Sequence, residues 1–386
     1  MDFELSDDQR MLVDTVANFV RRESPVTRAR KMREDAIGYS RATWQKMGEL
    51  GWLGLLYSEE FGGLGGGMVD VALVLEQLGT TLVPEPFVST VVLGGNAIFR
   101  AGSDEQKARW LAPAVAGERT LAFAYAERDG RYDPTAVTTE ARREGAGYVL
   151  NGKKMFVLGG QDADAIVVSA RTSPGPDGLS LFVVERGAQG LDVQAVTTLD
   201  GRRAAMLRFE GLRLDESARL GAEGSARAVI EAVLDDAAAA ACAEGAGIAR
   251  AVLDMTADYL RTREQFGVKI GSFQALQHRA VDMFIETELL RSTMLMAAIK
   301  AGDADVVERQ GAISAAKAQL EVGGRLVTQQ AIQLFGGIGI TDEHDVGLYF
   351  KRMQVLLSLF GDAHYHLQRY AALPSFTRGI DVAPRG

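Results

Sequence analysis

The sequence predicts a mixed, mainly α-helical fold: an N-terminal helical domain over residues 1–118, a middle β domain, an antiparallel sheet or β-barrel, over 119–222 and a C-terminal four-helix bundle over 223–386. Three observations predict it. The chain has 386 residues, beyond the size at which one core stops growing. Between about Arg119 and Leu220, short β-type runs follow one another with no helix among them, which indicates an antiparallel rather than a doubly wound sheet. After Gly224 the helical stretches are long and their joining loops short, as antiparallel bundle neighbours require.

The elements follow in order. Ser6 with Gln9 forms a capping-box pattern that opens a helix through Leu12, Val16, Phe19 and Val20. A second helix, Thr43 to Leu50, stops at Gly51. The glycine run Gly62–Gly67 lacks the Lys-Ser/Thr of a phosphate-cradling loop and reads as a plain connection. Helices over Met68–Gly79, Val88–Arg100 and Asp104–Val115 complete the first segment. In the second, the runs TLAFAYAE, AVTTEARRE, GYVLNGKKMFVL, DAIVVSART, LSLFVVER, LDVQAVTT and AAMLRFEGLRL read as strands, with turns at Asn151-Gly152 and Pro174–Gly178. The third holds helices over Ser225–Thr262, Ser272–Ala301, Asp303–Phe335 and Asp345 to about Leu373.

Composition excludes several function classes. The net charge of −9 and the pI near 5.2 argue against a nucleic-acid partner. No apolar run approaches membrane-spanning length. The acidic start MDFELSDDQR is not a secretory signal, so a cytoplasmic location is expected. The single cysteine, Cys242, excludes internal disulfides and a cysteine metal cluster. The four histidines form no metal-ligand motif, and no metal site is expected. No G-x-G-x-x-G follows a strand, which leaves a Rossmann dinucleotide site unsupported.

Two stretches carry chemistry. Gln329–Arg369 reads as a helix end, a glycine hinge at Gly336, Gly337 and Gly339, a second helix, and a break at Phe360-Gly361-Asp362. Bare glycine backbone lets another molecule approach closely. Asp362 follows an apolar run and is either a proton-accepting carboxylate or the N-cap of the helix after it. In Tyr259–Met283, Arg261, Arg263 and Lys269 surround Phe266-Gly267, with Gln274 at the start of the next helix. This is either a pyrophosphate clamp or an ordinary charged helix end.

Together these pieces resemble the acyl-CoA dehydrogenase family over essentially the whole chain. The specific marks are R-x-x-F-G at Arg263–Gly267 with Gln274 downstream, and Q-x-F-G-G-x-G at Gln333–Gly339. The resemblance implies FAD bound between the β domain and the bundle, with a neighbouring subunit completing the site. It places Arg263 on the FAD pyrophosphate, lines the same end with Phe266, Phe273 and Gln274, and has Gln333, Leu334, Phe335, Gly336 and Gly337 present backbone and amide groups to the cofactor. It sets Asp362 on the catalytic carboxylate, with His364 and His366 beside the flavin edge. It assigns Asp235 and Tyr132 to the substrate. The implied reaction is α,β-dehydrogenation of an acyl-CoA thioester, in which a carboxylate takes the α-proton and FAD the β-hydride. An electron-transfer flavoprotein is the implied acceptor, and a homo- or hetero-oligomer, dimer or tetramer, the implied assembly.

The chain also departs from the family pattern. Asp362 replaces a glutamate, shortening the arm by about 1.5 Å. The alternative base position on the first bundle helix falls on Ala237, beside Asp235 and Asp236. Ala126–Asp133 lacks the family's Thr and Ser, and Phe156–Gly160 reads FVLGG, so Phe156 can still stack near the flavin but Leu158 has no hydroxyl to donate. This pattern is similar to the small subunit of pimeloyl-CoA dehydrogenase and to subunits of heteromeric acyl-CoA dehydrogenases. The expected function is therefore an FAD-dependent acyl-CoA dehydrogenase; a low-activity subunit completing a partner's flavin site is the alternative, and a flavin oxidase or hydroxylase the third reading.

Overall fold

The computed structural model describes residues 4–175 and 177–374. Pro176, in the expected Pro174–Gly178 turn, and the chain after residue 374 lie outside the described residues. Six helices come first: α1 (Asp7–Glu23), α2 (Val26–Met32), α3 (Arg41–Glu49), α4 (Met68–Gly79), α5 (Asn96–Ala101) and α6 (Asp104–Val115). Eight strands follow: β1 (Leu121–Ala124), β2 (Glu140–Glu144), β3 (Gly147–Leu158), β4 (Ala165–Arg171), β5 (Leu179–Glu185), β6 (Leu191–Thr197), β7 (Arg203–Asp215) and β8 (Arg219–Leu220). The helices α7 (Arg227–Thr262), α8 (Gln274–Ala301), α9 (Val306–Gln319), α10 (Arg325–Phe335), α11 (Val346–Ser358) and α12 (Ala363–Ala371) complete the chain. The expected order of helices, sheet and helices is therefore the observed one.

By contact, the chain divides into two compact units. One comprises Met1–Lys31, Met68–Val83 and Ala238–Gly386; the other comprises Met32–Gly67 and Pro84–Ala237. In the sheet unit, the strand order is β6-β7-β3-β2-β4-β5-β8, with β1 pairing β4 off this path. Most pairs are antiparallel, but β1 runs parallel to β4, and β2 meets β4 in parallel through Glu140 and Arg171. The all-antiparallel expectation is corrected at these two places. β4 and β5 are buried on both faces, whereas β6 is an exposed edge. The sheet core gathers Tyr148, Leu150, Ile166, Val168, Phe182, Leu207 and Phe209. Each large side chain buried there contributes about 1.5–3 kcal/mol.

Asn151-Gly152 is not a turn. It lies inside β3, where the pairing with β7 shifts register between Leu150 and Gly152 and again between Lys154 and Val157. At the first shift the extra residue is on β7, between Phe209 and Leu212; at the second it is on β3, between Lys154 and Val157, and such a bulge bends its strand and re-aims the side chains.

In the helical unit, α4 crosses α7 at two glycines. A Cβ on Gly79 would lie 2.4 Å from the Glu244 carbonyl oxygen, and one on Gly247 would lie 1.8 Å from that of Glu76. Only glycine permits this approach. Beside the crossing, Arg352 on α11 makes a bidentate pair with Glu244, at 2.8 and 2.6 Å, with both side chains buried. The expected helix Asp303–Phe335 is interrupted by a π-helical turn at Leu320–Gly324, and Val88–Gly95 is π-helical too.

Candidate active site

The R-x-x-F-G segment ends α7 and forms a two-residue ribbon, Glu264–Gln265 against Val268–Lys269, before α8. Its tip is Phe266-Gly267, with φ of 56° and 79°. Positive φ at both central residues is what an I′ hairpin turn requires, and Asn-Gly normally supplies it. A phenylalanine there is strained, and Phe266 is also 90% exposed. It meets Phe273 edge to face at 6.2 Å. Arg263 is exposed, and no carboxylate among the described residues pairs with it. Its neighbours are committed: Arg261 to Asp258, and Lys269 to Glu264. Gln274 is exposed at the first position of α8.

The Q-x-F-G-G-x-G segment ends α10. Gln333 is exposed, whereas the side chains of Leu334 and Phe335 are buried, so only their backbone can reach a ligand. Gly336 has φ 64° and ψ −139°, a region open essentially to glycine alone. A Cβ at Gly336 or Gly337 would point into open space. Packing within the chain therefore does not explain the bare backbone at Gly337. Phe335 lies between Tyr259 of α7, at 4.4 Å, and His344, at 4.3 Å. Tyr259 also accepts, through its carbonyl, the N–H of Arg263 at 2.8 Å. This stack ties the two motifs together. Tyr259 sits one helical turn before Arg263, and that spacing was the available signal for it.

An unpaired guanidinium, exposed aromatic faces and bare glycine backbone fit an anionic, flat cofactor such as FAD. Arg263 would hold its phosphates; Gln333, Gly336 and Gly337 would offer amide and backbone groups.

Asp362 is the N-cap of α12. It is half-buried, and its Oδ1 accepts the Tyr365 N–H at 2.8 Å. Oδ2 accepts no hydrogen bond from the described residues. His364 is exposed, with its Nε2 2.9 Å from Gln368 Nε2. His366 differs from the expected flavin-edge placement. It is 0% exposed, and both ring nitrogens are used, by Ser314 and by the Phe360 carbonyl. Burial, chiefly, and the Lys317 charge push its pKa down to about 3, so the ring is neutral.

In the sheet unit, Phe156 has φ 48° and is 57% exposed at the β3 bulge between Lys154 and Val157, while Leu158 is half-buried. Tyr132 is half-buried next to Arg131, which has φ 47°. Asp235 is 2% exposed on α7. Sequence reasoning missed the buried pair under this surface. Lys154 donates to Glu127 at 2.8 Å, to Ser169 Oγ at 2.9 Å and to the Tyr125 carbonyl at 3.2 Å. Glu127 in turn accepts the N–H groups of Thr138 and Thr139. The segment that begins at Tyr125 is thereby fixed from inside.

Phe156, Phe266 and Phe360 all have positive φ, each in a segment assigned to the site from sequence. Bulky residues held in that region concentrate where function maintains the strain.

Comparison with known proteins gives the family. The models for the acyl-CoA dehydrogenase N-terminal, middle and C-terminal domains match residues 6–118, 122–212 and 226–372. Acyl-CoA dehydrogenase FadE12 of Mycobacterium tuberculosis is 33% identical, over 78% of this chain and 80% of its own. The chain belongs to the acyl-CoA dehydrogenase family. This dehydrogenase carries out FAD-dependent dehydrogenation of an acyl-CoA. Among solved structures, the ChsE4-ChsE5 complex of M. tuberculosis superimposes with a TM-score of 0.87 at 29% identity, covering 96% of this chain and 97% of that one. PigA with FAD and proline superimposes with a TM-score of 0.90 at 26% identity, covering 98% and 100%. Among the described residues of the dehydrogenase, no helix is long and apolar enough to cross a membrane, and no group of three or more His, Cys, Asp or Glu could hold a metal.

Proposed function

We propose that Asp362 is the base that removes the α-proton of the acyl-CoA. The supporting observation is its half-used carboxylate: Oδ1 is anchored by the Tyr365 N–H, and Oδ2 is left to accept a proton. Anchoring one oxygen fixes the direction of the other, which shortens the search for a reactive geometry. Bound FAD supplies the hydride acceptor. Arg263, Phe266, Phe273, Gln274 and the backbone from Gln333 to Gly337 would hold it; Phe156, Leu158 and His364 would contact the flavin, and Tyr132 and Asp235 would serve the substrate. An electron-transfer flavoprotein takes the electrons, and the protein works in the cytoplasm. Exposed apolar residues on α8, namely Val281, Phe284, Ile285 and Leu289, suit burial in a dimer or tetramer. The domain limits near residues 118 and 222 belong to the same reading.

Anaerobic titration of the yellow protein with a panel of acyl-CoAs tests this function. Bleaching of the flavin by at least one of them is the expected result. A flavin that none bleaches, in protein that retains FAD, contradicts it.

A second reading has its own observation. The cap holds Asp362 on a short arm, and Leu158 has no hydroxyl to donate. The chain would then complete the flavin site of a different partner subunit and turn over little alone. Full turnover by the purified single chain excludes this reading.

A further inference from the structure

The break between α11 and α12 carries Asp362, and its backbone is unusual. Phe360 has φ 59° and Gly361 φ 111°. Phe360 is not glycine, so neighbours must hold it in that conformation. Two buried side chains do so.

Lys317, on α9, is 1% exposed. Its ammonium donates to the carbonyls of Leu356 and Leu359, both at 2.8 Å. Leu356 is in the last turn of α11 and Leu359 is its C-cap, where helix carbonyls have no partner within the helix. A cation there also complements the helix dipole. The next carbonyl, that of Phe360, lies 3.0 Å from His366 Nε2. A carbonyl only accepts, so Nε2 carries the proton, and Nδ1 accepts from the Ser314 hydroxyl at 3.3 Å. Ser314 is again on α9. Consecutive carbonyls are therefore held, one from α9 directly and one through His366 from the same helix. Gly361 closes the arrangement: a Cβ there would lie 2.5 Å from both His366 Nε2 and Tyr365 Cδ1.

Burial is the main influence on Lys317 and lowers its pKa to about 8, against the charges of Glu321 and Asp362, which favour the ammonium; its direct partners are the two carbonyls. An apolar residue in its place would leave the Leu356 and Leu359 carbonyls without this donor and the turn free to move.

We infer that Lys317 and His366 are positioning residues that lock the Leu359–Gly361 turn, so that the Asp362 carboxylate is presented in one orientation. The inference rests on the reading of Asp362 as the base. Neither side chain touches substrate or cofactor in this account; both act through the turn.

The test uses the FAD-loaded full chain. Lys317→Met and His366→Phe remove the donors, His366→Gln restores one at the Nε2 position, and Ser314→Ala is the mildest change. Hydrogen exchange at the Tyr365 amide is measured with kcat and KM for one acyl-CoA. Donor-free variants should exchange Tyr365 faster while the rest of the bundle stays protected. Their kcat should fall by about tenfold to a hundredfold with KM little changed, as expected when a reacting group is displaced. His366→Gln should recover most of the loss. Unchanged exchange at Tyr365 and unchanged kcat in a folded His366→Phe protein overturn the inference. So does faster exchange spread evenly over the bundle without rescue by His366→Gln, because that is a purely structural role. If the larger variants do not fold, Ser314→Ala decides: Tyr365 exchange at the parent rate overturns the inference. An Asp362→Asn protein with full turnover removes the base assignment instead, and leaves exchange at Tyr365 to judge the clamp.

Discussion

The Lys154 ammonium donates to the Glu127 carboxylate at 2.8 Å inside the sheet unit, where the two side chains are 0% and 5% exposed. Substituting Lys154→Met would leave the carboxylate buried with only N–H and hydroxyl donors from Thr138 and Thr139. Breaking such a pair from one side costs about 3–5 kcal/mol, whereas replacing both members is often neutral. Urea denaturation should therefore show a large loss for Lys154→Met and a much smaller one for the double variant Lys154→Met/Glu127→Gln. Equal losses in the two proteins would show that the charge pair is not what the single change disturbs.

Acid should destabilise the protein in two separable steps. Burial and the Lys317 charge push His366 down from 6.5 to about 3, so between these values the unfolded chain binds more protons than the folded one. Its contribution is present above about pH 6.5 and is lost as pH falls toward 3, with a slope of at most about 1.4 kcal/mol per pH unit. Glu127 follows below it. Burial alone would raise its pKa, but the Lys154 charge and the hydrogen bonds from Lys154 and Thr138 prevail and hold it at about 2. Its contribution is lost as pH falls from about 4.5 toward 2. Denaturation midpoints from pH 7.5 to 4.5 should fall for the parent protein and flatten for His366→Gln. A slope that persists in the variant would assign the first step elsewhere.

FAD retention should depend on Gly336 and Arg263. Alanine at Gly336 must adopt φ 64° with ψ −139°, at a cost of about 1–3 kcal/mol. Removing the Arg263 guanidinium should cost about 1.5–3 kcal/mol of binding, the worth of a hydrogen bond to a charged group. Flavin fluorescence titration of the apoprotein should therefore give roughly tenfold to hundredfold weaker binding for Arg263→Ala. Parent-like affinity in that variant would place the pyrophosphate elsewhere.

The sequence made some of this legible and hid the rest for physical reasons. The capping box at Ser6 and Gln9 is present with both of its bonds, because cap chemistry is local and needs no tertiary context. Asp362 was legible as a cap for the same reason. The buried lysines were not. Lys153 and Lys154 look like a solvated pair; Lys154 keeps the phase of the buried Tyr148 and Leu150, but Asn151-Gly152, which reads as a turn, hides that the strand runs on through it. Lys317 lies in an alanine-rich helix where nothing local distinguishes it from a surface lysine, and its carbonyl partners are some 40 residues away in sequence. His366 was placed by motif alignment, which fixes register but not which face of a short helix is buried. The parallel β1–β4 pairing depends on topology and leaves no mark on composition.

Asp362 carries the central claim, and turnover by Asp362→Asn tests it most directly. Asparagine still caps a helix, so α12 and the Tyr365 bond should persist while the proton acceptor is lost. The FAD-loaded variant should keep the parent's denaturation midpoint and flavin content, with kcat for an acyl-CoA that bleaches the parent flavin reduced by about 10²- to 10⁴-fold, the usual contribution of a general base. Turnover equal to the parent's would contradict the account and return Asp362 to the role of a helix cap alone.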